Sequence, residues 1–220
     1  MRNPSLLAAL PPEDAERLRR TALRRVFTRG AMIVREGDPA RSLHLVVRGR
    51  VAVTRTCAHG HQLTILIAGP GDPLGEVTLL GGGETYGCEM RALEDTETLA
   101  VPRDEFESCL RRFPKLAAAV TRTLAEQVAQ LVALLQETVC VPVETRVRRR
   151  LVDLVQVYQD ESPGTVIPLT QQEVAGMAGT ARGTVNRVLR EEEALGSLLI
   201  GRHRLTVIDA QAISRRAQAG

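Results

Sequence analysis

The segment LTQQEVAGMAGTARGTVNRVL, residues 169–189, carries the pattern that decides the fold of this chain. Its Thr-x-x-Glu spacing is a capping box, so we predict that a helix begins at Gln171. Ala175 is small enough to lie beneath a crossing helix, and Gly179 is free to adopt left-handed φ in a turn. Val185 then faces the shared core. The spacing predicts two helices joined by a tight turn, a helix-turn-helix.

The second predicted helix has a polar face that points away from this core. When Val185 and its apolar neighbours turn inward, Arg182, Asn186 and Arg187 must face outward. Arginine pairs bidentately with guanine and asparagine with adenine, and each good pair discriminates by roughly 1–3 kcal/mol. We therefore predict that these three residues read DNA bases. The alternative is a solvated charged face on an ordinary helical hairpin.

A short hairpin follows the two helices. The stretch GSLLIGRHRLTVID, residues 196–209, predicts two strands around a Gly-Arg turn. A hairpin in this position is a wing that rests on the phosphate backbone of DNA. Two helices and a wing together predict a winged helix, and this combination disfavours the alternative of a plain charged face.

Composition limits the class of protein. The chain has 220 residues, of which 44% are hydrophobic and 25% charged, so it can form one large or two modest globular domains. The formal net charge is only +3, so an anionic partner must meet a local basic patch. We find neither an 18-residue apolar run nor a signal-peptide pattern, and we expect a cytoplasmic protein that does not enter the membrane.

The sequence carries no pattern typical of an enzyme or a metalloprotein. The four cysteines lack a C-x-x-C pair, and we interpret them as plain buried or half-buried thiols: Cys57, Cys88, Cys109 and Cys140. We interpret the pair His59 and His61 as a hairpin tip. With no P-loop or nucleophile–base motif, we expect no catalysis, no metal and no cofactor.

The N-terminal half predicts a β domain. Residues 5–25 have the pattern of short helical pieces, and glycine-punctuated apolar runs follow up to Val101. This spacing predicts an antiparallel sandwich or barrel of about eight strands. Five runs have strand length: 32–34, 43–47, 51–54, 63–67 and 97–101.

A long helix is predicted after Pro114, because residues 115–139 are rich in alanine and leucine and free of glycine and proline. Its apolar residues recur with the 4, 3 spacing of a coiled coil, so we predict pairing with a second copy of the chain. The stripe could instead pack on the β domain of its own chain, and Val132 and Leu134 widen it enough for both contacts. The seam consists of Leu124, Val128, Leu131, Leu135 and Thr138.

The order of these features resembles the CRP/FNR family of bacterial transcription regulators. The resemblance covers roughly residues 10–210, because glycines of the β region match the family's cyclic-nucleotide-binding domain and the long helix and winged helix follow. The matching positions are Gly30, Glu36-Gly37-Asp38, Gly49, Gly71-Asp72 and Gly75-Glu76.

The resemblance implies an α+β fold in three parts. Residues 1–113 would form a cyclic-nucleotide-binding-type β-roll, which is a double-stranded β-helix or jelly roll. Residues 114–141 would form the central dimerisation helix, and residues 142–220 the C-terminal winged helix-turn-helix. Pro142 would mark the hinge between the last two parts, because the residue before proline avoids the α region.

The resemblance also implies a function. The chain would act as a homodimer on a pseudo-palindromic site in double-stranded DNA, with half-sites about 34 Å apart, and RNA polymerase would be a further partner. Arg182 and Arg187 match the family's base-reading arginines. Gly183 stands where relatives often have an acidic residue, so we expect a different half-site. The residues implied in contacts with the DNA backbone are Thr170, Gln172, Thr184 and Arg202.

The effector site departs from the family pattern. No basic residue lies between Glu76 and Met90, and Tyr86 and Gly87 stand where the phosphate-binding Arg and Ser are expected. Losing a charge-assisted phosphate contact costs about 1.5–3 kcal/mol, so we predict that cyclic AMP does not bind in the usual manner. In the central helix, Leu131 and Val132 replace the Thr-Ser pair that receives the base. The degenerate pocket would comprise Gly75, Glu76, Tyr86, Gly87, Cys88, Leu131 and Val132.

Three modes of control remain open: an effector-independent dimer with Leu131 and Val132 filling the site, a different apolar or aromatic ligand, or a thiol switch at Cys88 or Cys140. An alternative function is a cyclic-nucleotide sensor whose C-terminal domain binds a protein instead of DNA.

Overall fold

The computed structural model describes residues 6–57, 62–158 and 164–218. The chain divides into two compact units. The first contains Met1–Arg55 and Ile65–Leu131, and the second contains Thr56–Thr64 and Val132–Gly220.

Eight strands precede the long helix in the described part of the chain, in agreement with the number predicted. The strands are β1 Leu23–Phe27, β2 Met32–Val34, β3 Ser42–Arg48, β4 Val51–Thr56, β5 Gln62–Ala68, β6 Pro73–Leu74, β7 Glu89–Ala92 and β8 Thr96–Pro102. All five predicted runs are strands. The strands form two four-stranded antiparallel sheets with the orders β1-β8-β3-β6 and β2-β7-β4-β5.

The helices of this part flank the sheets. A 3₁₀ helix, Leu6–Ala9, and α1, Pro12–Thr21, precede the first strand. The prediction of helical pieces up to residue 25 was therefore wrong at its end, because Leu23–Phe27 pairs along β8 and sheet pairing overrides the local pattern. Two more helices are α2, Glu76–Leu80, and α3, Arg103–Arg112. Phe106 of α3 is among the largest fully buried side chains.

The long helix α4 spans Pro114–Cys140. It ends just before Pro142, whose ring cannot continue a helix. Leu116 and Val120 near its start are buried in the core of the first unit, and Leu124 is half-buried against the same core. Leu124, the first residue of the predicted seam, thus packs on the β domain of its own chain, as the alternative prediction stated.

The second unit contains a winged helix. The capping box at Thr170 is formed in both directions, and its helix begins at Gln171, as predicted. Gly179 has φ 59° in the turn, also as predicted. The elements are α5 Val143–Tyr158, β9 Thr165–Ile167, α6 Gln171–Ala178, α7 Arg182–Ala194, β10 Leu198–Gly201, β11 Arg204–Val207 and α8 Ala210–Gln218. The three strands form a sheet of order β10-β11-β9.

Candidate DNA-binding surface and effector cavity

The buried side of α7 fixes which residues face solvent. Val185, Val188 and Leu189 are 0% exposed, as are Val174 and Ala175 of α6. Because side chains three and four residues apart share one face of a helix, this burial sets the rotation of α7 about its axis. The start of α7 is thereby turned outward, and with it the three residues predicted to read bases.

Those three residues differ in their surroundings. Arg182 is exposed, and no hydrogen bond or ion pair to it occurs within the described residues. Asn186 is half-buried, and its Nδ2 donates to Gln171 Oε1 at 3.0 Å. Arg187 donates to Glu144 Oε1 at 2.5 Å and to Glu191 Oε1 at 3.1 Å. Arg187 must therefore exchange acidic partners for DNA if it contacts a base.

The electrostatic effect of this pairing falls on the acid of α5. The hydrogen bond from Arg187 is the largest cause that holds the pKa of Glu144 below its ordinary value. Glu144 is therefore charged at neutral pH and attracts the same guanidinium that a guanine or a phosphate would attract. The surface therefore contains both Arg187 and an acid, Glu144, that would compete with DNA for it.

The residues predicted to contact the DNA backbone occupy three places. Thr170 caps α6, and its hydroxyl oxygen accepts a hydrogen bond from the backbone N–H of Glu173 at 3.2 Å. Gln172 is exposed in the first turn of α6, and Thr184 is half-buried in the first turn of α7. Arg202 is exposed in the turn between the two strands of the wing. All four belong to the winged helix, but the hydroxyl oxygen of Thr170 is already engaged in capping α6.

An acidic residue buried under α7 was missed by sequence reasoning. Glu192 is 0% exposed and accepts hydrogen bonds from Arg148 Nε at 2.7 Å and from Arg216 Nε at 3.0 Å. Burial by itself raises the pKa of Glu192, but the hydrogen bonds from Arg216 and Arg148 outweigh burial and leave that pKa below its ordinary value. These ion pairs of Glu192 join α7 to α5 and α8. The burial of Glu192 could have been predicted from the sequence, because it lies four residues after Val188 and therefore on the same buried face of the helix.

A second buried charge, Arg146, was also missed. Its guanidinium donates to the carbonyl oxygens of Ala178 at 3.1 Å and Gly179 at 3.4 Å, in the turn of the helix-turn-helix. It also donates to the carbonyls of Thr138 at 3.1 Å and Val141 at 3.0 Å, at the end of α4. An arginine near a helix C-terminus can satisfy carbonyls that the helix itself leaves unpaired. Arg146 thus connects the end of α4 to the turn between α6 and α7.

The first unit contains a cavity of about 280 Å³ next to α2. Of the seven residues predicted to form the effector pocket, five line it: Gly75, Glu76, Gly87, Cys88 and Leu131.

The other two are placed elsewhere. Tyr86 is only 3% exposed, and its hydroxyl donates to the carbonyl oxygen of Ser42. Its ring packs on Gly75, where an added Cβ would come within 2.9 Å of Tyr86 Cε1. Val132 is 60% exposed. The tyrosine that replaces the expected arginine thus belongs to the packing behind the cavity.

The polar part of the cavity wall centres on one acid. Glu76 is 3% exposed, and Gln127 Nε2 donates to its Oε1 at 2.7 Å. Burial is the largest cause that raises the pKa of Glu76 above its ordinary value, although the hydrogen bond from Gln127 acts in the opposite direction. Among the described residues that line the cavity, Arg55 is the only base.

Comparison with known proteins matches both parts of the molecule. Residues 24–113 match the family described as "Cyclic nucleotide-binding domain", and residues 145–216 match the "Crp-like helix-turn-helix domain". The "Cyclic AMP receptor protein" of Thermus thermophilus is 32% identical over 99% of this chain and 98% of its own length. This chain belongs to the CRP/FNR family of transcription regulators. As such, it is a DNA-binding regulator with a helix-turn-helix.

Two further comparisons agree with this assignment. The "CRP-like cAMP-activated global transcriptional regulator" of Mycobacterium tuberculosis is 25% identical over 87% of both chains. The solved structure of the c-di-GMP responsive global regulator of Xanthomonas campestris has a TM-score of 0.79 and 22% identity. It covers 90% of this CRP/FNR-family chain and 99% of the solved one, and at that identity it shows the shared fold.

The cysteines of this CRP/FNR-family chain are more exposed than predicted. Cys109 is buried and Cys88 is half-buried, as expected, but Cys57 and Cys140 are exposed. The prediction was wrong for these two because one follows the end of β4 and the other ends α4, where no packed layer covers the side chain. The pair His59 and His61 lies outside the described residues. Within the described ranges, no group of His, Cys, Asp or Glu is arranged to hold a metal ion.

No helix in the described part of the chain is both long enough and apolar enough to cross a bilayer.

Proposed function

We propose that this regulator binds a pseudo-palindromic DNA site as a homodimer, with Arg182, Asn186 and Arg187 contacting base edges. The observation that carries the proposal is the packing of α7, whose buried aliphatic face leaves these residues on the outside. The N-terminal part of a recognition helix is the part that reaches bases in the major groove. Thr170, Gln172, Thr184 and Arg202 then contact phosphates and hold the register without reading sequence.

Selection from random-sequence DNA followed by gel shift tests the proposal. We expect a pseudo-palindromic site and an affinity that falls steeply with salt. Arg182→Ala should cost about 1–3 kcal/mol on the selected site and relax the preference at one position of each half-site. Arg202→Ala should weaken binding to all sequences alike and reduce the salt slope. An equal loss on every sequence for both variants would contradict these roles.

The homodimer is proposed from the later part of the α4 seam. Val128 is 60% exposed, Leu131 44% and Leu135 66% in the single chain. Three large aliphatic side chains at coiled-coil spacing form an apolar stripe that a second copy would cover. Leu135→Glu places a charge in that stripe, and Gln136→Glu places the same charge on the neighbouring exposed position. Sedimentation should give monomers for Leu135→Glu and dimers for Gln136→Glu; dimers in both cases would exclude this interface.

We divide the chain functionally into residues 1–113 for effector sensing, 114–141 for dimerisation and 142–220 for DNA binding. We also propose that the regulator acts in the cytoplasm. RNA polymerase is the further partner that we propose for it. The alternative is a cyclic-nucleotide sensor whose C-terminal domain binds a protein. Gel shift separates the two, because the alternative predicts no preference for any DNA sequence.

Control by cyclic AMP in the usual manner is not part of the proposal. The Thermus relative is named as a cyclic AMP receptor, but in this chain the acid Glu76 lines the cavity and Tyr86 lies behind it. Burying a phosphate without a cation adds a desolvation penalty to the lost contact. Calorimetry of the purified protein with cyclic AMP and cyclic GMP tests this; binding of either at micromolar concentration would contradict it.

The modes of control differ in how well the geometry supports them. An effector-independent dimer with a filled site receives little support, because Leu131 lines a cavity of about 280 Å³. A thiol switch at Cys88 is disfavoured, because burial, followed by the charges of Glu76 and Glu36, raises the pKa of that thiol. Cys140 is exposed at the end of α4 and stays the second candidate for a switch. The geometry is most favourable for a ligand other than a cyclic nucleotide.

A further inference from the structure

The wall of the cavity is mainly apolar. Its residues come from the four strands β4, β5, β6 and β7, from the turns before α2 and β7, from α2 itself and from α4, and all belong to the first unit. A volume of about 280 Å³ is near the lower limit of small-molecule sites. The apolar wall includes Val53, Ile65, Leu66, Leu74, Met90 and Leu131.

The cavity combines this apolar wall with a buried hydrogen-bonded pair, Glu76 and Gln127. Glu76 is 3% exposed and is held by Gln127 at 2.7 Å. Cys88 lies at the same wall and is half-buried. A carboxyl group accepts hydrogen bonds when it is charged and both accepts and donates when it is neutral. In either state the pair can satisfy an O–H or N–H group of a ligand.

The charges around the cavity oppose an anion. Arg55, the one base among the described lining residues, has a side chain that is 64% exposed and pairs with Glu36 at 3.5 Å. A phosphate inside the cavity would therefore lie beside the Glu76 carboxyl, while the arginine stays in solvent with its own acid. Buried charges need a paired opposite charge or several donors. Within the described lining the wall offers no such cation, and of its side-chain donors, Thr78, Gln127 and Gln130, the amide of Gln127 is already bonded to Glu76.

We propose that the cavity binds an uncharged, mainly apolar small molecule that carries an O–H or N–H group for the Glu76–Gln127 pair. The cavity would not bind phosphates, sulfonates or carboxylates of the same size. This inference deepens the proposed function and rests on it only for the link between ligand and DNA. The ligand-binding step itself is read directly from the cavity.

Two fluorescent probes with the same ring skeleton test the charge selectivity. N-phenyl-1-naphthylamine is uncharged and has one N–H donor, and 8-anilino-1-naphthalenesulfonate is the same skeleton with a sulfonate added. Titrated into the purified full chain, the uncharged probe should bind at one site per protomer. We expect the sulfonate to bind at least tenfold more weakly. Equal affinity for the two probes, or tighter binding of the sulfonate, would overturn the proposal.

Matched variants locate the binding site. Cys88→Phe places a ring in the cavity and should weaken binding of the uncharged probe at least tenfold. Cys57→Phe makes the same change at an exposed position outside the lining residues and should leave affinity unchanged. Probe affinity that is equal in the two variants would place the probe elsewhere, for example on the exposed stripe of α4.

A third variant tests the acid without changing the volume of the cavity, and so does not depend on whether Cys88→Phe folds. Glu76→Gln replaces the ionisable carboxyl with a neutral amide and keeps an acceptor, so the preference for the uncharged probe over the sulfonate should fall at least threefold. An unchanged ratio would show that Glu76 does not set the selectivity, and the proposal would fail.

Gel shift on the same preparations separates this inference from the proposed function. Protein that binds its selected DNA site but not the uncharged probe contradicts only the inference. Protein that binds the probe at the cavity but shows no DNA sequence preference contradicts only the proposed function.

Discussion

The buried Glu192 beneath the recognition helix allows a sharp test of how α7 is held. Glu192→Gln keeps the shape of the side chain and removes its charge. Arg148 is only 15% exposed and Arg216 is 32% exposed, so both guanidinium groups would lose a largely desolvated partner. Removing one member of a buried ion pair costs about 3–5 kcal/mol, and the partial exposure of Arg216 places this change near the lower end, about 3 kcal/mol.

Hydrogen exchange followed by mass spectrometry measures this loss locally. The chain has two units, so one free energy of unfolding for the whole molecule would not be meaningful. A loss of about 3 kcal/mol corresponds to roughly 140-fold faster exchange of the amides that open with α7. Amides of β3 and β8 in the first unit should exchange at their original rates and serve as the internal reference.

Glu193→Gln is the matched control for this experiment. Glu193 neighbours Glu192 and is half-buried; it pairs with the exposed Arg190 at 2.7 Å and accepts a hydrogen bond from the backbone N–H of Ile200 at 2.9 Å. Glutamine can still accept from Ile200, so Glu193→Gln should accelerate exchange by less than about fivefold. If Glu192→Gln accelerated the α7 amides no more than this control does, the buried pair would not stabilise the winged helix. Equal acceleration in β3 and β8 would show a global effect and refute the local explanation.

The pKa of His44, the backbone at Gly179 and the ion pair of Glu144 each allow a further test. Burial, with the charge of Arg25 as the second cause, lowers the pKa of His44 from 6.5 to about 4. The unfolded state therefore takes up the proton first, and the stability of the first unit, complete above pH 6.5, should fall by at most about 3 kcal/mol as pH drops to 4. Hydrogen exchange of the β3 amides in His44→Gln across this range should lack that decrease. Gly179→Ala should cost about 1–2 kcal/mol because φ is 59°, and Gly179→Asn less, as measured by exchange of α6 amides. Glu144→Gln should remove one of the two acids that hold Arg187, leaving Glu191, and tighten DNA binding by about two- to fivefold in gel shift; weaker binding would mean that Glu144 positions Arg187 instead of competing for it.

The elements that could be predicted from sequence are those whose cause is local. The capping box at Thr170 and the left-handed turn at Gly179 depend on residues at most four positions apart, and both are present as expected. The strand runs and the uninterrupted helix between Pro114 and Pro142 follow from short-range patterns of the same kind. Where a local pattern met a sheet partner, at Leu23–Phe27, the partner decided the conformation.

The site was only partly predictable, because its chemistry depends on partners that are distant in the chain. The pocket residues were identified through the family resemblance, yet Tyr86 was expected in the cavity and lies behind it. Glu76 and Gln127 are 51 residues apart, and no local sequence pattern predicts that one binds the other.

The helix-turn-helix, the wing, the strand runs and the length of the central helix follow from the local sequence, because hydrogen bonding within one turn and apolar periodicity act over a few residues. Tertiary structure alone decided that Arg146 caps the carbonyl of Ala178, 32 residues away, and that Glu192 meets Arg216, 24 residues away. A buried charge is stable only where the fold supplies its partners, and that supply depends on packing in three dimensions.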